Sequence, residues 1–236
     1  MTRLLAPLFG FALLGAFASA QTPAPATNIP NAASLQIADE PGLPRVLLIG
    51  DSISLGYTLP VRERLQGRAN IHHPPENCGD TGRGLRRLDT WLGDGRWEVI
   101  VFNFGLHDLK YLDAAGNYVA PSEGRQVTPI PRYEENLREL ATRLKRTGAK
   151  LIYATTTPVP AGSLARVEHD ERAYNATARR VMDAEQIPVL DLCAVIEPKQ
   201  AEMQLPNNVH FTDAGFALLG AAVAARIEPL LPAPTR

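Results

Sequence analysis

Cysteine is nearly absent from this chain, with Cys78 and Cys193 the only two in 236 residues. Two are too few for a disulfide framework and show no metal-ligand spacing. Both follow predicted strands, so a single bridge stands as an alternative to the favoured reading of two buried small apolar residues. An excess of either charge is also missing, with 24 Lys and Arg against 25 Asp and Glu. Such a balance lacks the basic surplus that phosphate backbones require, which speaks against nucleic acid as a partner. Aromatic residues make up 6% of the chain, so a deep, aromatic-lined lipid tunnel is not indicated. No internal repeat occurs, and one apolar segment alone approaches membrane length.

That segment opens the chain. Arg3 precedes an apolar stretch through Leu14 and Phe17, which closes on Ala18-Ser19-Ala20 before Gln21. A basic start, a short apolar middle and a small-x-small ending describe a secretory signal peptide over residues 1–20, cleaved after Ala20. An uncleaved membrane anchor is the alternative, and the run is short for a span. The expectation is therefore a secreted or periplasmic protein with no stable membrane insertion. Residues 21–43 are rich in Pro, Ala, Thr and Asn without either period and read as a flexible leader. Residues 44–232 suffice for one domain with a substantial core.

Within the domain, continuous apolar runs alternate with amphipathic segments. Val46–Ile49, Val99–Phe104, Leu151–Ala154 and Val189–Leu192 read as strands covered on both faces, with Asn70–His73 a weaker fifth. Tyr133, Leu137, Leu140, Ala141 and Leu144 share one helical face after Pro131. Phe216, Leu219, Val223 and Ile227 share another in a helix beginning near Thr212. Alternating β and α predicts a three-layer α/β/α sandwich around a five-stranded parallel sheet, with chemistry at the carboxyl ends of the strands. Ser52, Gly79, His107, Thr157 and His210 all follow predicted strands.

Ser52 ends the run Arg45-Val-Leu-Leu-Ile-Gly-Asp-Ser52, just before a predicted helix start. A serine there is a nucleophile favoured by the helix dipole, or simply a helix cap. A serine alcohol needs a base, and His210 lies in Asn207-Asn-Val-His-Phe-Thr-Asp-Ala-Gly215.

Gly50-Asp51-Ser52, Asn77-Cys-Gly79-Asp80-Thr81, Gly105-Leu-His107-Asp108 and Asn207-x-x-His210 resemble, in order and rough spacing, the blocks of the SGNH, or GDSL, hydrolases. The resemblance covers about residues 45–230. It implies a flavodoxin-like fold and hydrolysis of esters or thioesters without a cofactor. Ser52 would be the nucleophile and His210 the base. Ser52, Gly79 and His107 would form the oxyanion hole. Asp51 and Asp108 flank site residues and would hold them by accepting loop N–H groups; two carboxylates make a poor metal signal, and no metal is expected.

Two positions depart from the family pattern. His107 replaces an asparagine; its ring either donates to an oxyanion or only packs. Asn207 replaces an aspartate three residues before His210. It acts as a weaker orienter of the imidazole, or a backbone carbonyl supports a Ser-His dyad, or the protein is a slow or inactive homologue. The loop Leu109–Pro129, with Tyr111 and Tyr118, reads as a lid or substrate wall, and Thr155-Thr-Thr-Pro158 is expected to face the site. Polar loops and export favour a short acyl group or a carbohydrate acetyl ester. The alternatives are a non-catalytic carbohydrate-binding homologue, an acyltransferase or a thioesterase.

Overall fold

The computed structural model describes residues 29–233. The expected signal peptide, and the leader as far as residue 28, lie outside the described residues. The apolar runs become one sheet. Its strands are β1 (Arg45–Ile49), β2 (Asn70–His72), β3 (Val99–Phe102), β6 (Lys150–Ala154) and β7 (Val189–Leu190). They lie in the order β2-β1-β3-β6-β7, every pair parallel. Val46 to Ile49 and Val99 to Phe102 are buried throughout, as central strands covered on both faces must be. A short antiparallel pair, β4 (Tyr111–Leu112) and β5 (Arg125–Gln126), stands apart in the long loop after β3.

Helices cover both faces. On one, α2 (Thr81–Leu92) packs on α3 (Ile130–Lys145), and α3 on α4 (Glu171–Ala184). On the other, α1 (Ser52–Arg64), α5 (Leu192–Ile196) and the short α6 (Gln200–Met203) pack on α7 (Asp213–Ile227). The helical faces read from sequence are the buried ones: Tyr133, Leu137, Leu140, Ala141 and Leu144 on α3; Phe216, Leu219, Val223 and Ile227 on α7. The two helices nearest the site touch closely because glycine permits it. A Cβ on Gly56 of α1 would lie 2.1 Å from the Phe216 ring, and one on Gly220 of α7 would lie 2.5 Å from Pro60 Cβ. That contact brings Ser52, at the start of α1, beside the loop that enters α7.

The chain runs from β1 out to β2 and then back past β1 to β3, so strand order reverses between β1 and β3. Open α/β sheets bind ligands at the carboxyl ends of such a pair.

Residues 29–43 correct the reading of a flexible leader. Leu35 is buried in a 3-10 turn, Ala32–Leu35, that packs with Leu55. Arg62 Nη2 donates to Leu35 O at 2.5 Å, and Gln36 Nε2 donates to His73 O at 3.1 Å. Asn70 accepts from Glu40 N and donates to Glu40 O and Leu43 O. Single anchors and side-chain-to-backbone bonds hold this segment, and neither leaves a period in the sequence. Cys78 and Cys193 are both free thiols.

Candidate active site

Gly50 and Asp51 turn the chain out of β1, and Asp51 becomes the N-cap of α1, its Oδ1 accepting from Ile53 N at 2.9 Å. Ser52 is therefore the first residue of the helix, half-buried, with the positive end of the dipole behind its hydroxyl. Ser52 Oγ lies 2.8 Å from His210 Nε2. On the far side of that ring, Nδ1 lies 2.8 Å from Asn208 Oδ1. An amide oxygen only accepts, so the ring proton is on Nδ1 and the Nε2 lone pair faces the serine. Burial, and next the Arg166 charge, hold the His210 pKa below its usual 6.5. The ring stands ready as a base.

Asn208, not Asn207, orients His210, and this corrects the sequence reading. Asn207 has φ +55° and is exposed. Its amide lies where a side chain on Gly162 would be, with a Cβ there 2.7 Å from Asn207 Oδ1. Left-handed backbone, which asparagine tolerates well, turns the chain so that the next residue faces the ring. Asn208 Oδ1 also accepts from His210 N at 3.0 Å, closing a small local turn.

Gly79 is corrected as well. It is buried, and its N–H donates to Asn77 Oδ1 at 2.9 Å instead of opening into the site. The Asn77 amide stands at the cavity in its place. This loop is pinned from behind, where Glu76 accepts from Arg87 Nε at 3.0 Å, Trp91 Nε1 at 2.7 Å and the Arg83 guanidinium. Cys78 N donates to Gly50 O at 3.0 Å and ties the loop to the end of β1.

His107 follows β3 in a turn whose base is firmly held. Phe104 O accepts from the buried hydroxyls of Tyr133 and Tyr153 at 2.9 and 2.8 Å. Asp108 Oδ1 accepts from Thr81 N at 2.9 Å and Thr81 Oγ1 at 2.5 Å, joining this turn to α2. Burial raises the Asp108 pKa to about 7 against those bonds. Lys110 Nζ lies 3.2 Å from His107 Nδ1. An ammonium only donates, so Nδ1 is the acceptor and the ring proton of neutral His107 is on Nε2. Burial first, then Lys110 and Arg166, push the His107 pKa down to about 3. The ring is a neutral donor in the wall of the cavity at Ser52.

A cavity of about 460 Å³ opens among these loops, and Ser52, His210, His107, Asn77, Asn208 and Arg166 line it. Tyr118, from the loop between β4 and β5, and Leu164 form exposed lips, and Ile29 of the docked leader completes the wall. Thr155, Thr156 and Thr157 do not line this cavity. They are buried below it, where Thr155 Oγ1 donates to Asp191 Oδ1 at 3.0 Å and Thr156 N donates to Asn175 Oδ1 at 2.9 Å. Sequence reasoning missed Asn208, Lys110 and Arg166. Lys110, three residues past His107, was the one with a local signal; Arg166 sits in a loop far along the chain.

Residues 48–218 match the model of the GDSL-like lipase/acylhydrolase family. The chain belongs to that family. Its members are esterases and lipases, and the fold agrees with solved structures at low identity. A lipase/acylhydrolase from Enterococcus faecalis superposes with a TM-score of 0.67 at 20% identity, covering 82% of this chain and all of that one. An acetyl xylan esterase gives 0.63 at 14% identity, covering 78% and 99%. An acetylxylan esterase from Geobacillus stearothermophilus gives 0.62 at 17%, covering 78% and 94%. No curated protein sequence matches the chain.

Proposed function

We propose that this GDSL-type esterase is a secreted or periplasmic enzyme that cleaves short-chain acyl esters, carbohydrate acetyl esters among them, through an acyl-enzyme on Ser52. One observation carries the reading: Ser52 Oγ stands 2.8 Å from the unprotonated nitrogen of a histidine whose other nitrogen is held by Asn208. His210 takes the hydroxyl proton as Oγ attacks the ester carbonyl, and the carbonyl electrons move onto oxygen. The oxyanion is received by the Ser52 N–H at the first turn of α1, by His107 Nε2–H and by the Asn77 side-chain nitrogen, whose oxygen is occupied by Gly79. His210 returns the proton to the leaving alcohol. Water then attacks the acyl-enzyme by the same route in reverse.

The short-acyl preference is supported by the size and openness of the cavity and by the polar side chains of Asn77, Asn208 and Arg166 in its wall. The two acetylxylan esterases among the structural relatives are in keeping with it. Export is supported by the signal-peptide pattern of residues 1–20. The test is hydrolysis of p-nitrophenyl acetate, butyrate and dodecanoate by wild type and Ser52→Ala. The short esters should be cleaved and the dodecanoate poorly, with Ser52→Ala at background. Equal rates for wild type and Ser52→Ala would end the reading.

A further inference from the structure

One cation lines the cavity and a second stands behind its wall, neither with a carboxylate in ion-pair contact. Arg166 lines it, with Nε donating to Leu106 O and Nη1 to Leu164 O, each at 3.0 Å. Those bonds fix the guanidinium and leave Nη2 without a protein acceptor among the described residues. Lys110 sits behind His107 and Tyr118, bonded to His107 Nδ1 and to Tyr118 Oη at 3.1 Å, its Nζ 4.7 Å from the tyrosine ring centre. Neither takes part in an ion pair among the described residues. Several basic side chains elsewhere do, among them Arg83 and Arg87, which share Glu76, Arg143 with Asp89, and Arg179 with Asp191.

The local charge does not close. Asp51 is the carboxylate whose field reaches both cations, and it is buried beneath Ser52 outside ion-pair distance, with its own ionisation opposed by burial. His107 and His210 are both neutral. Two positive groups therefore face at most one negative one. Removing a guanidinium from water without a partner costs stability, and a missing counter-charge at a cavity is one that a ligand can supply. The oxyanion of the reaction is a candidate, but it is transient and forms with every substrate.

We propose that the cavity selects esters that carry a negative charge away from the scissile bond, a carboxylate on the alcohol portion being the simplest. Arg166 Nη2 contacts that group, Lys110 adds its field from behind, and Tyr118 and Leu164 cover the apolar part between. The proposal rests on the esterase reading above and refines its substrate class.

The test pairs 4-acetoxybenzoate with methyl 4-acetoxybenzoate, each rate divided by that ester's own uncatalysed hydrolysis. Wild type should favour the anion in kcat/KM by about tenfold or more, chiefly through KM, the ratio falling several-fold as salt screens the charges. Arg166→Gln should bring the ratio toward one whatever it does to both rates together, and Arg166→Lys should retain much of it. A ratio at or below one in wild type, or one that salt and Arg166→Gln leave alone, would mean the cations serve only the oxyanion, and the proposal falls. Should Arg166→Gln not fold, the salt dependence of wild type decides alone. If neither ester is cleaved faster than by Ser52→Ala, the esterase reading fails instead. Calorimetric binding of the two esters to Ser52→Ala then reads the inference by itself: tighter binding of the anion upholds it, and equal binding overturns it.

Discussion

Helix α1 carries two serine–histidine pairs two residues apart, and only one of them stands at a site. Ser52 Oγ is 2.8 Å from His210 Nε2, and Ser54 Oγ is 2.7 Å from His73 Nε2. The distal nitrogen of each ring meets an oxygen at 2.8 Å, Asn208 Oδ1 for His210 and Pro74 O for His73. In bond lengths the pairs are interchangeable. They differ in surroundings: Ser54 and His73 are 0% and 2% exposed, whereas Ser52 and His210 line a cavity. Burial drives the His73 pKa down to about 4. Hydrogen-bond geometry makes a nucleophile only where a carbonyl can reach it; without access, the same geometry is a core contact.

Exchanging the two serines is the most direct way to break this comparison, and it carries the largest effect. Ser52→Ala should lower kcat/KM by at least about a thousandfold with little change in melting temperature, since nucleophile loss leaves only binding and oxyanion stabilisation. Ser54→Ala should do the reverse. It strands a buried imidazole nitrogen, so stability should fall by about 1–3 kcal/mol while the surviving folded protein turns over within a few fold of wild type. Esterase assays and thermal melts on both variants read the outcome. A dead Ser54→Ala that melts normally would make the buried pair part of the chemistry.

His73 also gives the comparison a pH signature. Its folded pKa lies below the unfolded value near 6.5. Its neutral burial therefore supports the fold fully above that value, and the support is lost as pH falls toward 4. Urea midpoints should drop across that window in wild type. In His73→Phe the drop should be smaller, and an identical drop would assign the loss to other groups.

A smaller effect sharpens the role of the neutral rings. His107→Ala removes an N–H held toward the cavity and should cost about a hundredfold in kcat with KM nearly unchanged. His107→Asn, which puts a side-chain amide N–H in its place, should recover part of that. Alanine within a few fold of wild type would reduce His107 to a packing residue.

The architecture was legible because it depends on patterns repeated over many residues. Val46–Ile49 and Val99–Phe102 could only be covered strands, and the faces of α3 and α7 were spaced as helices require. The ends of the site were legible for a different reason, since Ser52 and His210 must be those residue types for the chemistry to exist. Roles set by a single backbone angle or a distant loop were not. Nothing in Asn207-Asn208 says which amide meets the ring; a φ of +55° at Asn207 decides it. The N–H of Gly79 is taken by the side chain of Asn77 two residues before it, which a residue pattern does not show, and Arg166 reaches the cavity from a loop beyond β6. The docked leader had no period to read, only single anchors such as Leu35.

The orienting amide supplies the smallest expected effect. His210 must be neutral to accept the serine proton, so kcat/KM should be full above its folded pKa and fall as pH drops through it. Burial and Arg166 hold that pKa below 6.5, so the acid limb of the profile should have its midpoint below 6.5 as well. Asn208→Asp would set a carboxylate 2.8 Å from Nδ1, which favours the imidazolium both at rest and in the transition state. The limb should then move upward in pH, and the plateau rate above it should rise by a few fold. Asn207→Asp should move the limb less, because that side chain lies against Gly162 and not the ring. If Asn207→Asp shifts the profile and Asn208→Asp does not, the chain turns differently when substrate binds, and the orienting role returns to the position three residues before the histidine.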